Sequence, residues 1–95
     1  MYKVGSTATL LVPCLGNKIG TRGVCYELYT LGNYSGASFI FENGNYDGFS
    51  VEEQKEFLLK DKDTTFSYNF KSVMQLSQDF DRGLFNPLFQ RSQNG

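Results

Sequence analysis

The run from Ala37 to Leu59 reads ASFIFENGNYDGFSVEEQKEFLL, and the rest of the chain has to pack around it. Ser38-Phe39-Ile40-Phe41 is strand-like, with Phe39 and Phe41 on one face and Ile40 on the other, between Ser38 and Glu42. The chain then reverses at Asn43-Gly44. Asn-Gly between apolar runs is the strongest short-range hairpin signal, because a type I′ turn needs φ > 0 at both central residues. A second extended piece, Asn45 to Phe49, meets a helix start: Ser50-Val51-Glu52-Glu53 is a capping box. A helix of two or three turns is expected over Val51–Leu59, with Phe57 and Leu58 facing the core. Glu52, Glu53, Lys55 and Glu56 stay in solvent, and the acidic first turn suits the positive end of the helix dipole.

Outward from this run the pattern stays mainly β with short helices. Thr9-Leu10-Leu11-Val12 is a short strand stopped by Pro13. A glycine-punctuated loop, Gly16 to Gly23, leads to Val24-Cys25-Tyr26-Glu27-Leu28-Tyr29. Strict alternation there puts Val24, Tyr26 and Leu28 on one face and Cys25, Glu27 and Tyr29 on the other. Paired as a hairpin, these two strands set Cys14 nearly opposite Cys25. Leu31 to Gly36 reads as a turn-rich connection, and Lys60-Asp61-Lys62-Asp63 as a solvated link. Thr65 to Lys71 alternates as a half-buried strand with Phe66, Tyr68 and Phe70 inward. Ser72-Val73-Met74-Gln75 is a second capping box, opening a helix with Val73, Leu76 and Phe80 on one stripe and Gly83 as its stop. The apolar segment Leu84-Phe85-Asn86-Pro87-Leu88-Phe89 follows, then a polar tail, QRSQNG, expected to fray.

Composition narrows the class. Ninety-five residues make one expected domain with a limited core, and 16% of the chain is aromatic, with nine Phe and six Tyr. The chain lacks His, which removes the commonest general base and metal ligand, and its net charge of −1 gives no general attraction to nucleic acid or anionic lipid. No stretch approaches the roughly 20 apolar residues of a membrane span, and no signal-peptide layout opens the chain. With only two cysteines, Cys14 and Cys25, the expectation is a cytoplasmic protein with reduced, half-buried or buried thiols.

Two short patterns resemble SH3-like small barrels. Gly16, Gly20 and Gly23 in LGNKIGTRGVC stand at the spacing of the KOW motif, and Phe39-Ile40-Phe41-Glu42-Asn43-Gly44 is similar to a hairpin common in Tudor-like barrels. The resemblance implies an antiparallel barrel core over about residues 8–59, followed by a strand-helix appendage over 60–95. KOW motifs bind RNA or ribosomal partners with several basic residues; here the loop offers Lys18 and Arg22. Tudor-type readers use an aromatic cage plus an acid, for which Tyr26, Tyr29, Tyr34 and Tyr46 supply candidate rings.

Motifs for chemistry find little support. Asn43-Gly44-Asn45-Tyr46-Asp47-Gly48 imitates the start of a calcium loop, but Asn43 stands where Asp is wanted and Gln54 where the twelfth-position Glu is wanted. Glu52, Glu53 and Glu56 match a capped, solvated helix face. The Gly16–Gly23 loop lacks the ending of a phosphate-binding loop. Two thiols without His complete neither a zinc site nor a catalytic pair. No catalysis, cofactor or metal is expected.

The leading expectation is a non-enzymatic binding module with a protein partner, either itself or another chain. Its candidate surface combines Lys18, Arg22, Tyr26, Tyr29, Tyr34 and Tyr46 with Leu84, Phe85, Leu88 and Phe89, the last four serving as core cover or as interface. One alternative is nucleic-acid binding through the Gly16–Gly23 loop. Another is a phage or mobile-element protein that inhibits a host protein.

Overall fold

In the computed structural model, which describes residues 1–90, the chain reverses where Asn43-Gly44 predicts, though by a different turn. Phe41 N–H donates to the Asn45 carbonyl (2.9 Å) and Gly44 N–H to the Phe41 carbonyl (2.8 Å). Only Gly44 of the Asn-Gly pair has positive φ, 89°. The loop therefore has three residues and ends on a left-handed glycine, in place of a two-residue type I′ turn.

Five strands and three short helices follow one another as β1 (Thr7–Leu10), β2 (Arg22–Leu31), β3 (Tyr34–Phe41), β4 (Tyr46–Ser50), α1 (Val51–Phe57), β5 (Leu58–Lys62), α2 (Val73–Asp81) and α3 (Asn86–Phe89). The strands form one antiparallel sheet in the order β4-β3-β2-β1-β5. Among the described residues β4 and β5 do not pair, so the sheet stays open and the expected closed barrel is not formed by hydrogen bonds. One reason lies on β4. Gly48 N–H is taken by the Asp47 carboxylate (2.8 Å) and Ser50 N–H by the Glu53 carboxylate (2.9 Å), leaving these donors nothing to offer another strand.

The capping box at Ser50 and Glu53 is complete, and it starts α1 as read. The helix ends at Phe57, two residues before the expected Leu59. Leu58 is extended and pairs with Leu10, which draws Leu58–Lys62 into the sheet. The supposed link at Lys60–Asp63 is thus largely strand, since β1 has a free edge and its ladder outweighs two more helical residues. Leu31–Gly36 also differs from expectation. Leu31 and Tyr34 pair across a two-residue turn at Gly32-Asn33, with Gly32 at φ 63°, so the strands run nearly to the tip. β1 begins at Thr7 and releases the chain before Leu11 and Val12.

No strand forms at Thr65–Lys71. Phe66, Tyr68 and Phe70 do point one way, as the alternation predicts, but the segment lies across a face of the sheet without a ladder partner. Its rings pack on that face, and hydrogen bonds hold it at Thr64, whose hydroxyl donates to the Gly5 carbonyl, and at Tyr68, which donates to Asp79. At Ser72 half of the box is present: its hydroxyl accepts from Gln75 N–H (3.1 Å), while Gln75 Oε1 is buried without a partner. Leu76 is buried and Phe80 packs against the core, but Val73 is 51% exposed and leaves the expected stripe. α2 ends in a Schellman arrangement, with Gly83 N–H on the Phe80 carbonyl and Leu84 N–H on the Asp79 carbonyl.

The sheet is buried on both faces. One carries Ala8, Leu10, Cys25, Ala37, Phe39, Phe41 and Phe49, covered by Tyr2, Leu58 and Phe57. The other carries Val24, Tyr26 and Ile40, covered by Leu76 and Phe85 with the Phe66, Tyr68 and Phe70 rings. The second layer is tied by Asp79, which accepts from Tyr68 (2.7 Å) and pairs with Arg82 (3.1 Å).

Candidate interaction surface

A β-bulge decides where the tyrosines go. Cys25 pairs with Phe39 and Glu27 with Ser38, leaving Tyr26 as the extra residue in β2. The bulge turns Tyr26 and Glu27 to the same face, where Ser38 Oγ donates to the Glu27 carboxylate (3.2 Å). It also reverses the parity of everything after it. Leu28, expected beside Val24 and Tyr26, instead pairs with Ala37 on the opposite face, and Tyr29 pairs with Gly36.

The four tyrosines consequently share one face of the β2-β3-β4 end, in two pairs. Tyr26 and Tyr46 meet edge to face at 6.4 Å, and Tyr29 and Tyr34 lie tilted at 6.3 Å. The Tyr29 ring lies over Gly36, which has no room for a side chain beneath it, and over Gly48, where one would fit only tightly. Tyr26 is buried, and that burial pushes its hydroxyl up to about 12, against a smaller opposing effect of its hydrogen bond with Ser38. Tyr34 is 50% exposed and lies at the tip of the β2–β3 ribbon. On the reverse side, Leu28, Ala37, Tyr2, Val51 and Gln54 border a concavity of about 240 Å³.

Among the described residues, no strand pairs with the ribbon on the β1 side beyond Cys25. The last bonds there are Cys25 N–H to the Ser6 carbonyl and Gly5 N–H to the Cys25 carbonyl, both 2.9 Å. Leu28 and Leu31, neither of which the sequence reading singles out, are 52% and 69% exposed. A signal for this projection was present in Leu31-Gly32-Asn33-Tyr34, since Gly-Asn between β-type runs marks a two-residue hairpin.

The Gly16–Gly23 loop is built differently from its expected role. Lys18 is exposed, but the Arg22 guanidinium is engaged. It donates to the Gln90 carbonyl (2.9 Å), and its Nε lies 3.4 Å from Asp61 as an ion pair rather than a hydrogen bond. Asn17, Asn43 and Asn45 all donate side-chain N–H groups to the Leu15 carbonyl, at 3.4, 2.9 and 2.7 Å. Asn17 within the turn, and Asn43 and Asn45 from the distant β3–β4 hairpin, thus pin a turn containing Leu15 at φ 52° to that hairpin. Sequence reasoning missed this cluster, because no local pattern encodes it.

At the end of the chain, Phe85 is fully buried and Leu88 and Phe89 pack against the same cluster. Leu84 alone of the four faces outward, at 45% exposure. Cys14 sits in a tight turn bonded to Asn17, away from the position opposite Cys25 that the hairpin reading gives it, and both thiols are free. Burial pushes Cys25 up to about 12 and Cys14 upward, so neither is activated as a nucleophile. Among the described residues, no group of three or more Cys, Asp or Glu side chains gathers as metal ligands, and no helix is long and apolar enough to cross a membrane. No protein-family model matches the chain, and no curated protein or solved structure matches it either, so the surface stands on its own geometry.

Proposed function

We propose that this chain is a non-enzymatic, protein-binding module of the SH3-like small-barrel kind, which meets its partner through the β2–β3 ribbon. The small-barrel reading is supported by a four-strand meander whose fifth strand returns, after one helical segment, to lie beside the first. The binding reading is carried by one observation. The ribbon extends past the end of β1 and presents Leu28, Leu31 and Tyr34 at 52%, 69% and 50% exposure, where a solvated hairpin tip is ordinarily polar. Nucleic-acid binding is the weaker reading, because the Arg22 guanidinium is held by Asp61 and Gln90, which leaves Lys18 as the one outward cation of the two expected there.

A photo-crosslinking amino acid placed at Leu31, with the same group at exposed Leu59 on the far edge as control, tests the reading in extract of the source organism. Crosslinks to protein from position 31 and not from 59 are expected. Equal yields from both positions, or none from 31, reject it.

A further inference from the structure

Among the described residues, open sheet edge is found on β4, on β5 and on β2 past the end of β1, and the first two are guarded. On β4, the outward N–H groups of Gly48 and Ser50 are occupied by Asp47 and Glu53. On β5 the edge carries Lys60, Asp61 and Lys62, and its register with β1 is irregular between Thr7 and Ala8. Charge and irregularity are the ordinary means of keeping an edge from pairing. The third stretch, Leu28 to Leu31 on β2, has neither.

Its hydrogen-bonding pattern follows from the hairpin. Leu31 and Tyr34 flank a two-residue turn and form a hydrogen-bonded pair, so Tyr29–Gly36 and Glu27–Ser38 are the next such pairs. The main-chain groups of Leu28 and Thr30 therefore point away from β3, onto the side where β1 has already ended. A second extended strand would match that array of alternating donors and acceptors.

We propose that two copies of the chain pair antiparallel through this edge, with Leu28 of one facing Thr30 of the other and the two-fold axis at Tyr29. The proposal rests on the protein-binding reading of the same ribbon and names its partner. Three features favour a second copy. The edge is self-complementary: in this register Leu28 and Thr30 exchange both hydrogen bonds at two symmetric places, as an isologous contact requires. No like charges meet, since Glu27 falls opposite Leu31 of the second copy. The whole chain carries a net charge of only −1, which sets up no general repulsion between copies. A strand pair this short falls below the roughly 800 Å² per partner of a stable complex, so the dimer forms and separates with concentration.

Sedimentation of the purified full chain between about 10 µM and about 1 mM, with amide hydrogen exchange read by NMR at both ends, tests the pairing. The mass is expected to approach twice the monomer. The Leu28 and Thr30 amides should exchange roughly tenfold more slowly in the concentrated sample, while amides of the β4 and β5 edges do not change. Thr30→Pro removes an outward N–H without touching the hairpin ladder, and Leu28→Lys brings like charges near the axis. Each should leave a monomer, with circular dichroism reporting the fold, and Leu59→Lys should leave the dimer intact. A chain monomeric at both concentrations overturns the inference, as does a dimer that survives either β2 substitution or forms without protecting Leu28 and Thr30. A monomer that still crosslinks to another protein from position 31 refutes the self-pairing alone, whereas a monomer with no crosslinks refutes both readings.

Discussion

A methyl group added at Gly36 would lie 2.5 Å from the Phe49 carbonyl oxygen and closer still to the Tyr29 hydroxyl. The backbone oxygen cannot move without opening the β3–β4 ladder, so the tyrosine has to leave. Gly36→Ala should therefore destabilise the fold by about 1–3 kcal/mol and free the Tyr29 ring. Urea unfolding gives the first and Tyr29 ring resonances the second; a neutral substitution would mean that the ring does not lie where described. The thiols supply a second prediction at this scale. Cys25 is fully buried with its thiol pushed up to about 12, whereas Cys14 is partly accessible, its thiol raised by a lesser burial. Iodoacetamide at mildly alkaline pH should label Cys14 slowly in the native protein and Cys25 only on unfolding, as read by mass spectrometry of the digested chain.

At the scale of elements, the C-terminal segment behaves as a lid over the second face of the sheet. Phe85 is fully buried, with the Phe66 and Tyr68 rings at 5.5 and 5.2 Å, while its neighbour Leu84 is 45% exposed. Phe85→Ala should cost about 3–5 kcal/mol and Leu84→Ala less than about 1 kcal/mol, compared by denaturant midpoints at constant slope. Similar losses at both sites would contradict the packing. Elements with local start and stop chemistry were legible in the sequence: the hairpin at Phe41–Asn45, α1 from its capping box, and α2 between Ser72 and Gly83. The Tyr26 bulge and the pairing of Leu58–Lys62 with β1 were not. Each depends on a partner strand dozens of residues away, and no neighbouring residue encodes that choice.

At the scale of the whole molecule, both faces of the sheet hold tyrosines that resist ionisation. Burial pushes Tyr2 on one face and Tyr26 on the other up to about 12. Tyr68 is raised by burial and, beyond that, by donating its proton to the Asp79 carboxylate. Each keeps its proton longer when folded than at the ordinary value of 10, so the unfolded chain is the first to lose protons. The stability these groups contribute is complete below pH 10, and it declines as pH rises from there toward about 12. Phenolate absorbance followed with circular dichroism should show an early phase from the more accessible rings, then a late phase coincident with unfolding. A single phase with the fold retained would contradict the burial of all three.

By itself the sequence determined the reversal at Asn43-Gly44 and the starts of α1 and α2, because a left-handed glycine, a serine cap or an acidic first turn acts on backbone groups only a few residues away. It named the four tyrosines as candidates, but it set Tyr29 on the face opposite Tyr26 and Leu28 on the same face as Tyr26, and the bulge reverses both. Only the tertiary structure decided that Phe85 is core, that Arg22 is occupied, that three asparagines hold one carbonyl, and that part of β2 lacks a neighbour. These outcomes depend on long-range competition for a limited number of edges and faces, and that competition is settled by packing the whole chain at once.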